Sequence, residues 1–211
     1  MGIRPGAYTG PVPGTDSPAP PALGDHAVLV PVKSFADAKH RLDGALTQAD
    51  RLRLVRRMAE RVIAAAAPLP VAVVCDDTEV ADWARALGAL VVWEPGRGLN
   101  GAVEAGVDHL ASIGVSLVTV AHGDLPRAAG IGTLPRFDGV TLVPDRHDDG
   151  TNVVRLPTGC GFRFSYGPGS FIRHRDECDR LGLACQVVRE PSLALDVDWP
   201  ADLSWAEAAS T

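Results

Sequence analysis

Apolar and polar positions along the chain follow two rhythms. Short β-favouring runs recur: HAVLVPV (26–32), VAVVC (71–75), ALVVWE (89–94), SLVTVA (116–121), GVTLVP (139–144), CQVVRE (185–190) and LALDV (193–197). They read as mostly buried strands. Between them apolar residues return at helical spacing. TQADRLRLVRRMAERVIAAAA (47–67) sets Leu52, Val55, Met58, Ala59 and Val62 on one face behind the N-terminal signals Thr47 and Asp50. DDTEVADWARALG (76–88) closes on Gly88, and LNGAVEAGVDHLASIG (99–114) opens on Asn100 as an N-cap. A further helix runs from about Pro168 to Leu181, with a short one in PADLSWAEAA (200–209). This alternation predicts an α/β fold, a three-layer sandwich with a mostly parallel mixed sheet. Ligands of such sheets sit beyond the carboxyl ends of the strands.

Residues 1–24 break the rhythm. They hold six prolines and no hydrophobic core of a signal peptide, so they read as a disordered tail before a single domain spanning 25–211. The net charge is −6 and no basic block stands out, which argues against nucleic acid as a partner. No apolar run is long enough for a membrane span, and a cytoplasmic location is expected. Cys75, Cys160, Cys178 and Cys185 lack metal-ligand spacing and read as reduced packing residues. Of the 20 basic residues only Lys33 and Lys39 are lysines, neighbours in VPVKSFADAKHRL, where a compact ammonium is suited to a phosphate.

The candidate chemistry gathers after the strands. Asp124 follows SLVTVA in HGDLP; Asp196 and Asp198 lie two apart in LALDVDWP and share one face of an extended segment. Two readings are open. The three carboxylates form an oxygen-rich Mg2+ site, or Asp124 caps a turn and Asp198 caps the helix opened by Pro200. Lys33, Lys39 and Arg41 follow the first strand and suit nucleotide phosphates, although neither a P-loop nor a dinucleotide fingerprint is present. Gly150, Thr151 and Asn152 form an Asp-Gly turn whose threonine offers an anion a hydroxyl. In FSYGPGSFIRH, Gly167 as N-cap and Pro168 at the first helical position leave the N–H groups of Gly169 and Ser170 free for a phosphate or carboxylate. His122 reads as a strand-end packing residue or one that supports the site from behind, rather than a general base, because a phosphate nucleophile is already anionic. His174, one turn into the helix, either reaches the same anion site or packs.

In order, VPVKSFADAKHRL, GLNGAVEAG, GDLP, GTNVV, FSYGPGSFIRH and DVDWPADL resemble the guanylyltransferases of coenzyme F-420 biosynthesis over nearly all of residues 27–205. These act on 2-phospho-L-lactate or, in relatives, phosphoenolpyruvate. The resemblance implies a nucleotide-diphospho-sugar transferase-like fold, GTP and a phosphorylated three-carbon acid as substrates, and Mg2+. It implies that Asp124, Asp196 and Asp198 hold the metal and that Thr151, Gly167 and Ser170 bind the acid. Lys33, Lys39, Arg41 and Asn100 are then the nucleotide side, with Asp124 and Lys33 catalytic. His122-Gly123 stands where a small apolar residue is expected. Hand-off of the product to the next transferase and a homodimer are compatible with this pattern. Three other readings stay open: a molybdopterin or sugar-phosphate nucleotidyltransferase, a glycosyltransferase using Asp196-Val-Asp198, and a non-catalytic nucleotide-binding module.

Overall fold

A computed structural model describes residues 23–204. Seven strands form one sheet: β1 (His26–Pro31), β2 (Val71–Cys75), β3 (Leu90–Trp93), β4 (Leu117–Ala121), β5 (Val140–Pro144), β6 (Thr151–Pro157) and β7 (Cys185–Val187). Their spatial order is β3-β2-β1-β4-β6-β5-β7. Only β6 runs against its neighbours, pairing antiparallel with β4 and β5. The expected mixed, mostly parallel sheet is therefore present.

Helices α1 (Gln48–Ala65) and α2 (Thr78–Ala86) cover one face, and α3 (Gly98–Ser112) and α4 (Ser170–Leu181) cover the other. Period-two alternation sorts the strands between them. Val28 and Val30 pack towards α1 and α2, while Ala27 and Leu29 pack towards α3. Thr47 caps α1, its hydroxyl accepting from the Asp50 N–H at 3.1 Å. A side chain at Gly106 would meet Leu29 Cδ2 at 2.8 Å, so this glycine sets how closely α3 approaches β1. Among the described residues no helix is long and apolar enough to cross a membrane.

Four sequence expectations need correction. Residues 151–157 form β6, a central strand, where the sequence suggested only an Asp-Gly turn at 150–152. LALDV is not a strand: Leu193 lies in a turn and the segment continues as irregular chain. Its backbone makes single bonds instead of a ladder: the Asn152 amide donates to Leu193 O and the Arg146 N–H to Ala194 O, each at 2.8 Å, and just beyond it Asp202 Oδ2 accepts from the N–H groups of Asp198 and Trp199. Asn100 is not an N-cap, because α3 begins at Gly98 behind Arg97. Gly167 is not the cap of α4 and Pro168 precedes it; the cap is Gly169, at φ 73°. The final helix opens as a 3-10 turn, Pro200–Asp202, and is helical at 203–204; the rest of that segment and most of the proline-rich tail lie outside the described residues. Cys75 and Cys178 pack in the core as expected, but Cys185 is exposed.

Candidate active site

β1 pairs with β2 on one side and with β4 on the other, and the chain reverses its winding there. The crevice at such a switch point, beyond the carboxyl ends of the strands, is the usual seat of a ligand in an open α/β sheet. Asp124 follows β4 into this crevice. The loop after β1 brings Lys39 across from it, and the 194–199 segment brings Asp196 and Asp198.

Lys39 is the centre of this half of the site. Its ammonium donates to Asp124 Oδ2 at 2.5 Å and to Asp198 Oδ1 at 2.6 Å. The lysine side chain is only 13% exposed. Burial works against its charge, but the two carboxylates outweigh that and hold its proton more tightly than in water. The residue sits in the left-handed region at φ 59°, ψ 38°, which costs a non-glycine residue about 1 kcal/mol and is retained mostly where function demands it. Arg51 of α1 anchors this loop, donating to the carbonyls of Ala36 and Ala38 and pairing with Asp43.

The carboxylates are not evenly neutralised. Burial raises the Asp124 carboxyl, yet Lys39 and then His122 bring it below the ordinary range, and its Oδ1 is buried without a partner. Asp196 is pushed the other way. Burial, then the charges of Asp124 and Asp198, lift it to about 6. The Asp196–Asp198 segment is fixed from behind by Asp202, itself buried and paired with Arg146 at 2.7 Å. Among the described residues no three acidic, His or Cys side chains close into a ligand set, since Lys39 stands between two of the three aspartates.

The second half of the site is neutral. Asn152 is an extra residue in β6: Val143 pairs with Val153 and Pro144 with Thr151. This bulge turns Thr151 away from the face of Val153 and towards α4, where its hydroxyl lies 3.0 Å from His174 Nδ1. His174 is fully buried, and burial lowers its imidazole to about 4. His122 and Tyr166 pack with ring centroids 4.5 Å apart, and Tyr166 meets His174 edge-on at 5.0 Å. Both His122 Nε2 and the Tyr166 hydroxyl are buried without a partner. Buried polar atoms are paired in more than about 90% of cases, so three orphans around one crevice, Asp124 Oδ1 included, point to a polar ligand.

The start of α4 is not open as the sequence suggested. Gly169 N–H donates to the Asp149 carboxylate at 3.0 Å, Phe171 N–H to Asp149 O, and Ser170 N–H to Gly167 O. Gly167 is exposed and Ser170 buried. Lys33 lies apart from Lys39, in a cleft lined also by Val32, Asp76, Glu94, Gly98 and Leu99. Arg41 stacks over the Trp199 ring at 4.7 Å beside Asp198. Asn100 ties α3 to the aromatic segment by accepting from Tyr166 N–H at 2.7 Å. Tyr166, Asp149 and Asp202 escaped sequence reasoning; the alternation Phe162, Phe164, Tyr166 is the signal that could have marked an aromatic stripe.

Residues 26–206 match the family described as guanylyl transferase, CofC like. A phosphoenolpyruvate guanylyltransferase from Sphaerobacter thermophilus is 34% identical over 185 residues, 83% of this chain and 89% of that protein. Another, from Rubrobacter xylanophilus, is 35% identical over 190 residues, covering 86% and 93%. Among solved structures, a Desulfovibrio desulfuricans G20 chain assigned to the nucleotide-diphospho-sugar transferases superposes with a TM-score of 0.66 at 15% identity, over 88% of this chain and 96% of that one. That likeness speaks to the fold.

Proposed function

The chain belongs to the CofC-like guanylyl transferase family, and from that membership we propose that it joins GTP to phosphoenolpyruvate, releasing pyrophosphate, as a step of coenzyme F-420 biosynthesis. The observation that carries the reading is the ammonium of Lys39 seated between Asp124 and Asp198 at the sheet's switch point. A crevice that already gathers carboxylates around a cation is suited to bringing two polyanions together.

A phosphate oxygen of the acid attacks the α-phosphorus of GTP in line. The new P–O bond forms as the bond from that phosphorus to the bridging oxygen breaks, and the electron pair leaves with pyrophosphate. The nucleophile is already anionic, so no strong base is required. Repulsion between the reactants is the obstacle, and positioning and charge compensation are what this chain supplies.

The donor set fits a divalent ion. All the donors are carboxylate oxygens, and Asp124 Oδ1 has no partner. Asp124, Asp196 and Asp198 would hold Mg2+, which when bound neutralises phosphate charge and favours attack on phosphorus. Lys39 would then be released to a phosphate oxygen. Lys33, in the cleft against the start of α3, and Arg41, on Trp199, add charge along the nucleotide. Of Thr151, Gly167 and Ser170, the Thr151 hydroxyl is the group we propose to orient the acid, because the N–H groups at the start of α4 are already taken.

The test is to incubate the protein with GTP, Mg2+ and phosphoenolpyruvate, 2-phospho-L-lactate or 3-phosphoglycerate in turn, following pyrophosphate. Release that depends on phosphoenolpyruvate is expected. Release with none of the three acids, or equal release with CTP in place of GTP, contradicts the reading. The product, a guanosine diphosphate ester of the enol, is an activated donor, and hand-off to the transferase that consumes it belongs to the same proposal.

A further inference from the structure

His174 makes two hydrogen bonds, and together they decide where its proton lies. The peptide N–H of Ser165 donates to His174 Nε2 at 3.0 Å. A backbone N–H can only donate, so Nε2 is the bare nitrogen. The neutral ring therefore carries its proton on Nδ1, and that proton faces Thr151 Oγ1 at 3.0 Å. The threonine oxygen is thus an acceptor towards His174, and its own proton is left for something else. Among the described residues nothing in the chain takes that proton.

The arrangement is built rather than incidental. Strict alternation along β6 would send Thr151 to the α1 side with Val153, and the extra residue Asn152 sends it to the α4 side instead. His174 is sealed by Phe162, Phe164 and Tyr166, whose rings lie 5.6, 6.2 and 5.0 Å away, so it cannot rotate freely. Burial also keeps it neutral at physiological pH. An imidazolium would place a second N–H against the Ser165 N–H.

We propose that His174 is a positioning residue that locks the Thr151 hydroxyl as a one-way hydrogen-bond donor to an anionic oxygen of the acid substrate. This rests on the proposed function for the identity of the acid, but the tautomer does not. A hydroxyl free to rotate can meet a carboxylate or phosphate with its lone pairs. One whose oxygen is already engaged presents only its proton, and such pre-orientation favours an anion over a neutral analogue.

Two measurements test it. Long-range proton–nitrogen NMR of the wild-type protein at pH 7 should show His174 as the neutral Nδ1–H tautomer. The Nε2–H tautomer or an imidazolium would overturn the proposal whatever the enzyme's activity. The second is steady-state kinetics of two variants that divide the ring's functions. His174→Asn keeps an N–H near the Nδ1 position, while His174→Gln keeps an acceptor for Ser165 and loses the donor to Thr151. His174→Gln should raise KM for phosphoenolpyruvate about tenfold or more with KM for GTP within twofold, and His174→Asn should recover most of that loss. In a Thr151→Val background the Gln substitution should add nothing. Equal rises in both KM values, or a Gln effect that persists without the threonine hydroxyl, would reduce His174 to a packing residue. Inactivity of the wild type with every acid, alongside the expected tautomer, would instead count against the proposed reaction.

Discussion

The two halves of the crevice solve opposite problems. Around Lys39 the chain brings together charges that repel, Asp124, Asp196 and Asp198, and holds the first and last of them with one ammonium. Around His174 it has almost no charge and relies on fixed hydrogen-bond direction, through Ser165, His174 and Thr151. The first half is electrostatically unfinished, with one carboxyl lifted to about 6 and one buried oxygen unpaired. The second carries almost no charge, and its Thr151 hydroxyl proton has no acceptor among the described residues. The difference fits the two tasks of the proposed nucleotidyl transfer, in which the charged half would meet phosphates and the neutral half would hold the small acid still.

If this division is right, damage to each half should have its own signature. The largest effect belongs to the charged half. Asp198→Asn should lower the Mg2+-dependent rate of pyrophosphate release on the order of a thousandfold, with circular dichroism and melting unchanged within a few degrees. Wild-type turnover in that variant would break the comparison outright.

The neutral half should reveal itself in acid. The His174 imidazole titrates at about 4 in the folded protein and near 6.5 when unfolded. As pH falls, the unfolded chain takes up this proton first. The stability is therefore intact above about pH 6.5 and is lost progressively down to pH 4, by about 3 kcal/mol in all. Denaturant titrations should show that loss in the wild type and a loss smaller by roughly that amount in His174→Gln. Parallel curves would mean that burial of this ring is not what keeps it neutral.

Lys39→Met should cost about 2 kcal/mol in the absence of divalent ions, because Asp124 loses its compensation while the half-exposed Asp198 is screened by water. Added Mg2+ should restore part of that melting temperature, and by more than it raises the wild type. A smaller effect should follow Asn100→Ala, which removes the acceptor of the Tyr166 N–H and should cost about 1 kcal/mol without altering the response to Mg2+.

The sequence shows one of these halves better than the other, for a physical reason. Strands β1, β2, β4 and β5 are legible because both faces are buried and the runs are nearly all apolar. β6 is not, because it opens with Thr151 and Asn152 and carries the buried Arg155, whose guanidinium is satisfied by the distant carbonyls of Leu134 and Pro135. LALDV misleads in the opposite direction: its apolar residues fill a core corner while its backbone is held by single bonds from the Asn152 amide and the Arg146 N–H. Lys39, Asp124 and Asp198 could each be singled out, but not their meeting, which spans 85 and 159 residues of chain. The bond from His174 to Thr151 depends on a one-residue bulge that no periodicity announces.

The most direct test is a crystal structure of the protein with GTP and Mg2+ bound. We expect the ion seated among Asp124, Asp196 and Asp198, with the Lys39 ammonium moved from Asp198 to a phosphate oxygen. Triphosphate bound with Lys39 still bridging Asp124 and Asp198, and the ion held elsewhere, would contradict the account.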